Sequence, residues 1–142
     1  MTTKSNALQS ISLLIVEDCE ITKKSYSTVL SMLYPEITIY TACNGTKGLE
    51  LFKAHMPDII ISDLHMPEMD GRQMSENIRA IKPETKIIIL TGDSERLEQM
   101  GIAGDGFRPD HLFEKPIDFQ IFFAAIKQCK DEIELYRANP PF

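Results

Sequence analysis

The stretch that decides the fold is Ile60–Gly71, IISDLHMPEMDG. An apolar run that begins at Ile59 ends on a carboxylate, Asp63, and Met66-Pro67 and Asp70-Gly71 then turn the chain away. A continuous apolar run of this length fits a strand buried on both faces. A buried strand that stops on an aspartate has two explanations. Either the side chain serves a turn, bonding to nearby backbone, or it stands at the mouth of a chemical site. The rest of the chain decides between them.

Working outward, two more runs share this texture. Ile11–Val16 contains LLIV and is followed by Glu17-Asp18; Ile87–Thr91 reads IIILT. Between these runs lie segments of helical period. Cys19–Leu33 reads as a helix stopped near Pro35. Ile37–Ala42 alternates apolar and polar residues, as a half-exposed strand does. Lys47–His55 carries Leu49 and Phe52 on one helical face, and Pro57 interrupts it. Met74, Ile78 and Ile81 share the face of a third helix that stops before Pro83. Ser94–Met100 is a short helix candidate, Gly101–Asp110 a glycine-rich loop, and His111–Glu114 a weak final strand. Asp118–Tyr136 reads as the last helix, with Phe119, Phe122, Ile126, Cys129, Ile133 and Tyr136 on one stripe.

Strands and helices in alternation, five of each, predict an α/β architecture with a parallel sheet covered on both faces. The first, third and fourth strands are almost wholly apolar and belong in the centre; the second and fifth are mixed or short and belong at the edges. Right-handed crossovers then favour a doubly wound five-stranded sheet in the order 2-1-3-4-5. Winding reverses between strands one and three, and ligands in open α/β sheets bind outside the carboxyl ends of strands at such a point.

That prediction brings Glu17, Asp18, Asp63 and Thr91 to one edge. Neighbouring strands lie about 4.8 Å apart, and two unit charges ~5 Å apart repel by roughly 3 kcal/mol at an effective dielectric near 20. A cluster of this kind takes up protons or binds a cation. Oxygen ligands in a partly open site suit Mg²⁺. Taken singly, Asp18 is equally a helix N-cap, and Asp58 in PDII reads as a turn residue before the strand. Lys115, in FEKP, follows the fifth strand at the same edge and would be the cation facing three anions. X-Pro bonds adopt the cis form at low cost, and a cis Lys115–Pro116 bond would turn the lysine inward.

The chain has 142 residues, 43% hydrophobic, which suits one domain with a sizeable core. A net charge of -6 and the absence of any Lys/Arg run argue against direct nucleic-acid binding. No apolar stretch approaches the ~20 residues of a membrane helix, and the polar start lacks a signal peptide's apolar segment. Cys19, Cys43 and Cys129 form no metal-ligand spacing and read as reduced thiols of a cytoplasmic protein.

The ordered set LLIVED, PDIIISDLHMPEMDG, IIILTG and FEKP resembles the receiver domain of two-component response regulators, of the chemotaxis-regulator-like kind. The resemblance covers about Ile11–Lys130. Residues 1–10 remain as a polar extension and 131–142 as a C-terminal helix extension or linker. It implies a flavodoxin-like fold and a signalling domain rather than an enzyme, one that promotes only its own phosphorylation and dephosphorylation. Asp63 would be the phosphoacceptor. Glu17, Asp18, Asp63 and the backbone carbonyl of His65 would hold Mg²⁺. Thr91 would be the switch hydroxyl, and Lys115 would bind the phosphoryl group. The implied donor is a sensor histidine kinase, a phosphotransfer protein or a small acyl phosphate. The implied output surface comprises the fourth helix, fifth strand and fifth helix, facing a missing output domain, a partner protein or a second copy.

The chain departs from the family at Leu112, three positions before Lys115, where an aromatic residue is usual; Phe113 and Phe107 are the candidate substitutes. His65 and Asp93 stand two residues after Asp63 and Thr91, where the resemblance implies control over hydrolysis of the aspartyl phosphate. His55 and His111 read as structural or surface residues. The tail either extends as a helix towards an output domain or packs home and frays at Asn139-Pro140. Two other functions compete. A Mg²⁺-dependent aspartyl-phosphate phosphatase would want D-x-D, whereas the chain reads Asp63-Leu64-His65. A pseudo-receiver would bind partners without phosphorylation. No G-x-G-x-x-G follows the first strand, which argues against a dinucleotide-binding domain.

Overall fold

A computed structural model describes residues 11–92 and 108–140. In chain order these form β1 (Ser12–Val16), α1 (Glu20–Leu33), β2 (Thr38–Ala42), α2 (Gly45–His55), β3 (Ile59–Asp63), α3 (Gly71–Ile81), β4 (Lys86–Thr91), β5 (His111–Glu114) and α4 (Phe119–Ala138). The five strands make one sheet in the order β2-β1-β3-β4-β5, and every neighbouring pair is parallel. This is the doubly wound order expected from strand texture, and the flavodoxin-like fold that the family resemblance implies. The helix candidate Ser94–Met100 lies outside the described residues, as do residues 101–107 of the glycine-rich stretch.

Strand alternation divides the core into two layers. Leu13, Ile15, Ile59, Ile61, Ile88 and Leu90 face Tyr26 and Leu30 of α1 and Phe122, Ile126, Cys129 and Ile133 of α4. Leu14, Val16, Ile60, Ile87 and Ile89 face Phe52 of α2 and Met74 and Ile78 of α3. β3 is buried at all five positions, whereas β2 and β5 keep exposed residues, as edge strands do. The buried stripe of α4 is narrower than its sequence suggests. Phe119 and Tyr136, in the first and last turns, are about half exposed (50% and 47%).

Caps set the helix starts. Asn44 Oδ1 accepts from the Lys47 amide at 2.8 Å, which moves the start of α2 back to Gly45. Asp70 and Gln73 form a reciprocal capping box at α3. Asp118 Oδ1 accepts from Gln120 and Ile121 at α4. α1, α2 and α3 each stop two positions before a proline, Pro35, Pro57 and Pro83, since a residue preceding proline disfavours helix.

At the amino edge of the sheet, Asp58 does far more than turn the chain. It is buried. Its Oδ2 accepts from the Ser12 amide at 3.0 Å, and its Oδ1 meets Lys82 Nζ at 2.9 Å and Arg137 Nη2 at 2.6 Å. One carboxylate thus joins the start of β1, the residue after α3 and the last turn of α4. Asp110 works similarly, accepting from the Ile87 amide at 2.8 Å and pairing with Arg79 at 2.7 Å.

Candidate functional site

The register fixes which residues meet at the opposite edge. Val16 pairs with Ser62, Asp63 with Leu90, and Thr91 with Glu114. Glu17 and Asp18 follow β1, Asp63 and Thr91 end β3 and β4, and Lys115 follows β5. All five expected side chains therefore stand at one edge. Carboxylate oxygens of Glu17, Asp18 and Asp63 lie within 4.8 Å of one another.

The alternative reading of Asp18 as a helix cap does not hold. The N-cap of α1 is Cys19, and no side-chain bond caps it. Asp18 is exposed, while Glu17 and Asp63 are buried. Glu17 Oε2 accepts from the Cys19 amide at 3.0 Å, but its buried Oε1 has no hydrogen-bond partner among the described residues. The nearest cation, Lys115 Nζ, is 3.7 Å from it. Burial pushes the Glu17 carboxyl up to about 7, and the charge of Asp63 adds to the rise; the Cys19 amide and the Lys115 charge oppose it.

Lys115 Nζ bonds Asp63 Oδ1 at 2.6 Å, and the Lys115 amide donates to the Thr91 carbonyl at 2.7 Å. The Lys115–Pro116 bond is cis. Burial works against the charged ammonium, but the bond to Asp63 and the charges of Asp63 and Glu17 outweigh it and raise its pKa. Three carboxylates thus face one ammonium. An orphaned oxygen, oxygen-only donors and one exposed carboxylate open to water fit a hydrated Mg²⁺.

Other singled-out residues fall as follows. Thr91 is buried at the end of β4. His65 is half-buried, and its Nε2 is buried without a hydrogen-bond partner among the described residues. Leu112 is partly exposed (38%). Phe113 faces the α1/α4 layer instead, meeting the Phe122 ring at 6.2 Å. His55 stacks on Tyr40 at 4.3 Å and His111 on Phe113 at 6.0 Å. Asp93 and Phe107 lie outside the described residues. Sequence reasoning passed over Tyr26. This residue of α1 is buried against Phe119 and Phe122. Burial raises its phenol pKa, with Lys115 opposing and Glu17, Asp63 and Cys19 adding. The signal was an aromatic residue on the buried face of the helix that follows the acidic pair.

Residues 13–127 match the family model for the response regulator receiver domain. The chain belongs to this family. Among its relatives, the autoinducer 1 sensor kinase/phosphatase LuxN of Vibrio campbellii is 36% identical over 90 residues, covering 63% of this chain and 10% of that protein. The probable transcriptional regulator ycf27 of Cyanidium caldarium is 36% identical over 127 residues, covering 89% of this chain and 49% of that protein. This receiver domain thus spans about a tenth and about half of the lengths of these two relatives. Among solved structures, the signal receiver domain of an HD domain-containing protein from Pseudomonas fluorescens Pf-5 superposes with a TM-score of 0.77 at 28% identity, covering 87% of this chain and 97% of that one. The response regulator TrrA of Thermotoga maritima, solved in complex with Mg²⁺-BeF, gives 0.72 at 25% identity, covering 84% and 98%. No helix among the described residues of the receiver domain is long and apolar enough to cross a membrane.

Proposed function

We propose that this receiver domain accepts a phosphoryl group on Asp63, in a Mg²⁺-dependent step, from a sensor histidine kinase or phosphotransfer protein. The observation that carries the reading is the convergence of Glu17, Asp18 and Asp63 within 4.8 Å, with Lys115 2.6 Å from Asp63. The Mg²⁺-BeF complex of TrrA supports it by analogy.

Glu17, Asp18, Asp63 and the His65 backbone carbonyl would hold the metal. Bound there, Mg²⁺ would neutralise charge on the phosphoryl oxygens, the main requirement of a loose phosphoryl-transfer transition state. The chain's own groups do the rest. A carboxylate oxygen of Asp63 forms the new O–P bond as the N–P bond of the donor phosphohistidine breaks, and the leaving imidazole keeps the electron pair. Lys115 holds Asp63 in place and stays charged to meet the incoming oxygens. Thr91 then donates its hydroxyl to the bound group. The aspartyl phosphate adds about -1.5 to -2 of charge, by analogy with other phosphorylated side chains. Its effect is a population shift at the surface expected from the Ser94–Met100 helix candidate together with β5 and α4, read by an output domain, a partner or a second copy. Such a domain turns over only its own phosphoryl group. The free thiols Cys19, Cys43 and Cys129 support a cytoplasmic setting.

Leu112, where the family carries an aromatic residue, favours a second reading in which partners bind without phosphorylation. One experiment separates the two. The chain is incubated with Mg²⁺ and acetyl phosphate and weighed intact. A mass gain of one phosphoryl group, lost with EDTA and in Asp63→Asn, is expected. No gain, or a gain that survives Asp63→Asn, rejects the phosphoacceptor.

A further inference from the structure

β3 runs through three isoleucines, Ile59, Ile60 and Ile61, and then places a serine before the phosphoacceptor. Ser62 is fully buried (0% exposed), in the layer that holds Ile60, Phe52, Met74 and Ile78. A hydroxyl taken from water into such a layer is costly unless it is bonded. Ser62 Oγ donates to the backbone carbonyl of Asp63 at 2.8 Å.

The space for that bond comes from Gly71. A Cβ there would overlap the Asp63 carbonyl oxygen and come within 3.2 Å of Ser62 Oγ and 3.1 Å of Leu64 Cα. The Gly71 amide donates to the Leu64 carbonyl at 2.9 Å, and the Leu64 amide to the Leu90 carbonyl at 2.9 Å. Residues 64–71 therefore form a loop that closes on its own first peptide. His65 sits between two buried anchors, Leu64 and Met66. A second glycine fixes the loop's far side: a Cβ on Gly45 would overlap the Met69 carbonyl.

We propose that Ser62 is a positioning residue for the metal and phosphoacceptor site. Its buried hydroxyl, lodged where Gly71 lacks a side chain, fixes the Asp63–Leu64 peptide and so the orientation of the Asp63 carboxylate and the His65 carbonyl. The inference rests on the phosphoacceptor reading above. Ser62 touches neither substrate nor metal. It acts through the peptide that both Asp63 and His65 depend on. Ser75, also fully buried but with no hydrogen-bond partner among the described residues, is the matched control.

The test uses Mn²⁺, which shares the oxygen-ligand preference of Mg²⁺ and whose free form is counted by electron paramagnetic resonance. Wild type, Asp18→Asn, Ser62→Ala and Ser75→Ala are titrated, and exchange of the Leu64 and Gly71 amides is followed. Ser62→Ala is expected to bind Mn²⁺ roughly tenfold more weakly, the low end of what loss of an outer hydrogen bond costs a metal site. Its Leu64 and Gly71 amides exchange faster, while Ser75→Ala binds as wild type does. If Ser62→Ala does not fold, Ser62→Cys, which keeps the size and donates weakly, should show a smaller loss of the same kind. Equal Mn²⁺ affinity in wild type and the Ser62 variant, or an equal loss in Ser75→Ala, overturns the inference alone. A wild type that does not bind Mn²⁺ rejects the phosphoacceptor reading, and the inference with it.

Discussion

Lys115 Nζ stands 2.6 Å from Asp63 Oδ1, so the ammonium neutralises the same charge that a divalent ion would take up. On the proposed function, a bound divalent ion and Lys115 would compete for one carboxylate while cooperating on the phosphoryl group. Lys115→Ala should therefore bind Mg²⁺ severalfold more tightly, a small fraction of the full Coulomb energy at this distance. It should also accept a phosphoryl group from acetyl phosphate far more slowly. Titration calorimetry and intact mass check the two halves. Weaker Mg²⁺ binding in the variant would show that Lys115 organises the carboxylates rather than competing.

Glu17 links the same site to stability. Its carboxyl is pushed up from 4.5 to about 7 in the folded domain. Between these values the unfolded chain releases its proton while the folded one keeps it, so stability in EDTA falls as pH rises from 4.5 to 7 and is level above. The loss amounts to about 3 kcal/mol. Glu17→Gln removes this dependence and should stabilise the metal-free domain at pH 8 by on the order of 1–3 kcal/mol, while weakening Mg²⁺ binding. Urea unfolding at pH 5 and pH 8 measures the difference; equal slopes with pH in both proteins would contradict it.

His65, two residues beyond Asp63, carries a buried Nε2 without a hydrogen-bond partner among the described residues. His65→Ala leaves the backbone carbonyl in place. It should permit phosphorylation and change the lifetime of the aspartyl phosphate severalfold. Following the decay by intact mass after removal of acetyl phosphate gives the rate. An unchanged lifetime would leave the imidazole without a part in hydrolysis.

Asp58 separates stability from chemistry. Asp58→Ala removes the acceptor shared by the Ser12 amide, Lys82 and Arg137 at the far edge of the sheet, while Lys82 Nζ keeps the Met56 carbonyl at 3.1 Å. The cost should be roughly 2–3 kcal/mol, less than a fully buried orphaned charge because both cations reach water. Mg²⁺ affinity should be unchanged. A parallel loss of metal binding would show that the two sheet edges are coupled.

Fold and site were legible for one reason: apolar run length and the residue ending each run are local properties. Three nearly unbroken apolar strands placed β1, β3 and β4 in the centre, and parallel pairing then carried Glu17, Asp63, Thr91 and Lys115 to one edge. Asp58 was misread because a carboxylate preceding a strand looks alike whether it faces water or three donors from distant segments; its partners lie 46, 24 and 79 residues away. Ser62 was invisible for a similar reason. A small polar residue in a strand carries no sign that the glycine nine positions later has left room for its hydrogen bond. Tyr26 and the exposed ends of the α4 stripe were hidden because helical period gives a face but not where the sheet beneath it stops.

The three-way bond at Asp58 has a topological consequence. Since Ser12 and Arg137 share one carboxylate, β1 begins and α4 ends side by side, at the sheet edge opposite the candidate site. A short linker can join them without crossing the sheet, which is the condition for circular permutation. Ends reopened in the α1–β2 turn, near Glu36, would leave Asp63, Thr91 and Lys115 on one unbroken stretch of polypeptide.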